Sequence, residues 1–213
     1  MSRDHFFSFY VFNILVYGII LCLGSISTAN AAKLPDPTEQ FRPFVEEMVT
    51  ILTDPDLLGE GKNAQRREKA MTVASEHFDF HEMSKRVLGK TWRKLSKDEQ
   101  EYFTRLFTRL LEHAYVGKIE GYSNQKVVFK GQRVKGERAQ VLTDIIDKDT
   151  VITVSYIMIL KDGVWKVYDI VVEGVSLVRN YMDQFREILR KEEYASLLKQ
   201  VEDKVTELET SNR

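Results

Sequence analysis

Few residues in this chain have the type and spacing to do covalent chemistry. The clearest candidate is Asp169, a lone carboxylate in the run Trp165-Lys166-Val167-Tyr168-Asp169-Ile170-Val171-Val172. A carboxylate desolvated by such neighbours holds a proton more tightly than it does in water and can serve as a general base. Strand parity puts Trp165, Val167, Asp169 and Val171 on one face and Lys166, Tyr168, Ile170 and Val172 on the other. Asp169 is therefore expected among apolar side chains, with Asp144 of the preceding strands the nearest partner by type. Two readings stand: a base acting on an apolar substrate, or a structural acid held by backbone amides or an arginine.

The remaining candidates are weaker. His77 and His81 are four residues apart, a spacing at which one helix would present two metal ligands. Asp79 between them reads as a helix start, which places them on different elements, and no carboxylate or thiol cluster completes a site. Cys22 is the only cysteine, and Ile20 and Leu21 stand before it where a lipid-modified cysteine would need small residues. The sequence has no glycine-rich phosphate loop and no Gly-x-Ser-x-Gly turn. No cofactor and no metal are expected.

The elements that would position Asp169 can be read from periodicity. From Gln125 the period is two, with strands near 125–131, 138–147, 150–160 and 164–172. Asp162-Gly163 is a two-residue hairpin signal between the last two. Gly174 permits a sharp turn, and Ser176 is placed to cap a helix carrying Val178, Tyr181, Met182, Phe185, Ile188 and Leu189. A last helix runs from about Glu192. Ahead of the strands, helices are expected from Asp36-Pro37 to about Thr53, from about Asn63 to Glu76, from Asp79 to Gly89, and from Ser96 to about Ile119. The Ser96 helix carries Tyr102, Phe103, Leu106, Phe107, Leu110, Leu111, Ala114 and Tyr115, a wide aromatic stripe. The class is α+β, an antiparallel four-stranded sheet packed by about six helices. So much apolar surface in a modest domain fits either a tight core or a cavity for a large apolar ligand.

Composition narrows the function classes. The chain has 213 residues, with 31 Lys plus Arg against 32 Asp plus Glu, so it lacks the field that nucleic-acid binding draws on. Residues 1–31 read as a signal peptide, with an apolar run ending at Ala29-Asn30-Ala31, and residues 32–213 as one exported domain. About 20 apolar residues can also span a bilayer, so an uncleaved anchor is the alternative. Cleavage would remove Cys22 and leave a domain stabilised by packing alone.

Several stretches in order resemble the MlaC (toluene-tolerance) family. They are Trp165-Lys166-Val167-Tyr168-Asp169, Val172-Glu173-Gly174-Val175-Ser176-Leu177-Val178, Asn180-Tyr181 and Gln184-Phe185. Upstream, Phe78-Asp79-Phe80, Met83, Leu88-Gly89, Trp92 and the Ser96 helix agree. The resemblance spans roughly Phe41 to Leu198. It implies a periplasmic lipid carrier without covalent chemistry, its fold enclosing an apolar cavity that buries two phospholipid acyl tails. The implied partners are an outer-membrane lipoprotein-porin complex and an inner-membrane ABC transporter with an MCE-domain subunit; some relatives are linked to hopanoid lipids. On that implication the tails are expected along Val154, Tyr156 and Met158 of the third strand and Val167 of the fourth. Phe103, Phe107, Leu110 and Tyr115 of the aromatic stripe, and Val175, Val178 and Met182 after the sheet, complete the expected lining.

Overall fold

Short-range capping chemistry sets four of the helix starts. The computed structural model describes residues 34–59, 61–120 and 125–211; the expected signal segment lies outside them. Helix α1 (Pro37–Thr53) begins where Asp36 accepts the N–H groups of Thr38 at 2.9 Å and Glu39 at 3.0 Å. After a 3-10 turn at Pro55–Leu57 comes α2 (Asn63–His77), then α3 (Phe80–Leu88), capped by Asp79 through the Glu82 N–H at 2.8 Å. Gly89, with φ 53°, ends α3 and leads to a second 3-10 turn at Thr91–Lys94. Helix α4 (Lys97–Glu120) opens with the reciprocal Ser96 and Glu99 bonds of a capping box.

The sheet then runs β1 (Lys126–Lys135), β2 (Arg138–Asp147), β3 (Thr150–Lys161), β4 (Val164–Val172) and β5 (Val175–Ser176), each antiparallel to the next. It therefore has five strands, not four. The added strand is two residues long, pairing Val171 with Ser176 and Val172 with Val175, too short to show a period. Glu173 and Gly174, both at positive φ, make the turn that folds it back. β1 extends past the expected residue 131, because a bulge at Lys130 and Gly131 breaks its alternation and charged residues crowd this edge strand. Helices α5 (Leu177–Leu189) and α6 (Tyr194–Ser211) complete the chain.

A second bulge overturns the expected parity of β4. Ile157 pairs with Asp169 but Met158 pairs with Val167, leaving Tyr168 as an extra residue. Cross-strand partners share a face, so Trp165 and Val167 share theirs with Ile170, while Asp169 moves to the opposite one. Packing agrees. Phe41, Phe44 and Val45 of α1 cluster with Val141, Met158, Trp165 and Val167, and Ile170 joins them. Tyr168 instead packs against the second cluster, built by Val87 of α3, Phe103 and Phe107 of α4, Val178 and Phe185 of α5, and Val201 of α6. Phe78 packs against both clusters and pairs with Val167 through an isolated bridge. Residues Pro35–Arg213 form a compact unit by themselves.

His77 ends α2 with its ring 4.7 Å from Phe44. Burial first, then the Lys166 ammonium, holds its pKa below the usual 6.5. An unfolded chain takes up that proton before the folded one does, so this group's contribution to stability is full above about pH 6.5 and declines as pH falls below it. On acidification from about pH 7.5 to 5.5, thermal unfolding of His77→Phe should lose fewer degrees than that of the unaltered protein. Equal losses would remove His77 from the account.

Candidate functional site

Asp169 is buried and both of its oxygens are engaged. Oδ2 accepts the Ser176 hydroxyl at 2.5 Å and Oδ1 accepts the Val178 N–H at 2.9 Å. The Ser176 Oγ in turn accepts the Arg179 N–H at 3.0 Å, capping α5. A carboxylate at a helix N-terminus is matched by the partial positive charge there. This is the geometry of a structural acid that fastens α5 to β4. Asp144 is occupied elsewhere, by Lys130 at 3.3 Å and the Thr153 hydroxyl at 2.9 Å. His77 and His81 fall on α2 and α3, and no group of three or more potential metal ligands occurs among the described residues.

The clefts among the described residues include two that offer a place for a ligand. One, of about 340 Å³, lies between α4, α5 and α6. Leu110, Ala114, Tyr181, Phe185, Val201 and Leu208 make its apolar walls, and Asn180, Gln184, Gln200 and Lys204 also line it. Tyr181 anchors the wall, its ring 5.2 Å from Phe107 and 5.7 Å from Phe185. Burial, and then the neighbouring Tyr115, pushes its phenol up to about 12, so it stays neutral at physiological pH. The second cleft, of about 570 Å³, lies between the α2–α3 junction and the β3–β4 hairpin. Within it, Lys161 pairs with Asp79 and Lys166 donates to the Glu76 carbonyl.

The structure divides the expected lining residues between the two sheet faces. Val154, Tyr156, Met158 and Val167 lie on the α1 face, where Tyr156 packs 4.5 Å from Phe41. Phe103, Phe107, Leu110 and Val178 belong to the helical cluster, with Phe103 and Phe107 wholly buried. Met182 is half-buried on α5, Tyr115 is 39% exposed near Tyr181, and Val175 on β5 is 63% exposed. Leu110 alone of these eleven lines the α4–α5–α6 cleft. The sequence reading did not select Asn180, Gln184, Gln200 and Lys204. Their signal was available: two polar pairs at i,i+4, each beside the apolar stripe of its helix.

A family model described as "MlaC protein" matches residues 42–203. The chain belongs to the MlaC family. A stretch of 128 residues is 27% identical to the intermembrane phospholipid transport system binding protein MlaC of Haemophilus influenzae. That match covers 57% of this chain and 60% of the relative's length. The fold is shared with a phospholipid-binding protein from Ralstonia solanacearum, solved in complex with a phospholipid. That match has a TM-score of 0.72 and 21% identity, over 82% of this chain and 99% of the other. Among the described residues, no helix of this MlaC-family protein is long and apolar enough to cross a membrane.

Proposed function

We propose that this MlaC-family protein is a periplasmic carrier that buries phospholipid acyl tails and shuttles lipid between an outer-membrane lipoprotein-porin complex and an inner-membrane ABC transporter with an MCE-domain subunit. The work would maintain outer-membrane lipid asymmetry, and residues 1–31 would be the export signal removed from a domain of residues 32–213. One observation carries the reading: an apolar cleft with polar groups beside it, between α4, α5 and α6, in a fold shared with a protein that was solved holding a phospholipid.

Its size sets the mechanism. About 340 Å³ is near the lower end of the roughly 300–1,000 Å³ of small-molecule sites, room for part of one tail. Two tails require α6 and α5 to part, bringing the buried Phe103, Phe107 and Val178 into the lining with Tyr115 and Met182. Each buried CH2 returns about 0.8 kcal/mol, so a chain of common length gains roughly 10 kcal/mol and can drive the parting. The apolar walls read the tails, while a solvent-facing headgroup has few contacts to discriminate it; a hopanoid would meet the same walls. The alternative of an enzyme using Asp169 as base is disfavoured by the two donors that already occupy its oxygens.

Native mass spectrometry of the unit Pro35–Arg213, purified without added lipid, tests the proposal. It should carry a phospholipid, whereas Ala114→Trp, which fills the cleft from an exposed position on α4, should retain roughly tenfold less, since overpacking costs about 1–3 kcal/mol. Lipid-free protein that takes up no phospholipid from vesicles would overturn it.

A further inference from the structure

The segment from Lys85 to Lys97 carries six cations, Lys85, Arg86, Lys90, Arg93, Lys94 and Lys97, and no acidic residue, in a chain whose net charge is −1. Elsewhere several helix cations meet carboxylates three or four residues away, as Arg42 meets Glu39 on α1, Arg105 Glu101 on α4, Arg186 Asp183 on α5 and Lys199 Asp203 on α6. Lys85 and Arg86 likewise pair with Glu82. Lys90, Arg93, Lys94 and Lys97 are exposed, and among the described residues none of them has a carboxylate within ion-pairing distance. Lys97 stands in the first turn of α4, where the helix dipole favours anions. Asp98 follows it, and Glu99 is committed to the Ser96 N–H at 2.7 Å.

The segment is anchored by buried side chains and by hydrogen bonds to α4. Trp92, Val87 and Leu88 are buried, and the Gln100 side-chain amide donates to the Trp92 carbonyl at 3.0 Å and the Leu95 carbonyl at 3.2 Å, tying the 3-10 turn to α4. None of the exposed large apolar side chains falls between residues 85 and 97. Protein interfaces centre on desolvated aromatic, Met and Arg side chains and are depleted in Lys. A lysine-dominated surface with no apolar centre instead suits a diffuse layer of negative charge.

We infer that residues 85–97 dock the protein on an anionic phospholipid bilayer through Lys90, Arg93, Lys94 and Lys97. Attraction comes from the field of the headgroup phosphates, with no side chain inserted, so it weakens as salt shortens the screening length. The inference does not rest on the carrier reading, because none of Lys90, Arg93, Lys94 and Lys97 lines the cleft.

The test is co-sedimentation of the unit Pro35–Arg213 with vesicles of phosphatidylcholine alone, or with about one-third phosphatidylglycerol, at low and high salt. This unit holds both hydrophobic clusters, and its fold matches 99% of a solved chain. Binding is expected only to the anionic vesicles and only at low salt. Each cation near such a surface contributes about fivefold, so Lys90→Gln with Lys94→Gln should weaken binding about 25-fold. Lys126→Gln with Lys135→Gln on β1, the same change in net charge, should leave it within about twofold. Absence of binding, equal binding to both vesicle types, or equal effects of the two double variants would overturn the inference; absence would assign the patch to an acidic protein instead. Native mass spectrometry of the same samples reads bound lipid separately, so failure of docking and failure of the carrier reading are distinguishable.

Discussion

Replacing Phe107 with alanine will cost about 3–5 kcal/mol of folding stability, read as a shift in the urea unfolding midpoint. The side chain is wholly buried. It stacks with Phe103 at 5.9 Å and meets Tyr181 at 5.2 Å and Phe185 at 6.0 Å edge to face. Its removal subtracts both the transfer energy of a ring and contacts that neighbours on two helices cannot restore by small shifts. Against the roughly 5–15 kcal/mol that a domain has in total, this is enough to leave the protein marginal. If the site is instead compliant, as a lipid-admitting wall would be, added phospholipid should recover part of the loss. A loss below about 1 kcal/mol in lipid-free protein would show that Phe107 is not part of a packed core.

The second large effect concerns the Asp169 fastening. Asp169→Ala should destabilise the domain by about 2–4 kcal/mol, because it leaves the buried Val178 N–H without its acceptor and removes the partner of the Ser176 hydroxyl. Asp169→Asn keeps one carbonyl oxygen for the Val178 N–H and should cost about 1 kcal/mol. Urea titration of both, with native mass spectrometry of the asparagine form, checks this. A structural acid predicts a folded Asp169→Asn protein that still holds phospholipid. Equal and negligible losses in the two variants would mean that the carboxylate fastens nothing.

What could be read in advance followed range in the chain. Helix starts at Asp36, Asp79, Ser96 and Ser176 depend on a side chain and an amide two or three residues away, and all four caps are present. The Asp162-Gly163 turn is equally local, and both residues have positive φ. The face on which Asp169 lies depends on one extra residue, Tyr168, and a bulge carries no marker in the sequence around it. The same limit governs the expected lining. Alternation correctly groups Val154, Tyr156 and Met158 on one face, but which helix covers that face is decided by long-range packing, and it is α1. The aromatic stripe of α4 was legible as a stripe. That its edge at Leu110 and Ala114 borders a cleft depends on where α5 and α6 come to rest.

Phe78 is the seam between the two hydrophobic clusters, touching Phe44 on one side at 5.8 Å and stacking on Phe80 on the other at 5.9 Å. A domain built with a seam can be worked on from one side. Parting α6 from α5 would draw on the helical cluster, while α1 and the sheet have a cluster of their own. Sub-global opening of this kind costs less than global unfolding, so on the proposed carrier reading one small domain would be both loose enough to load and firm enough to survive each loading.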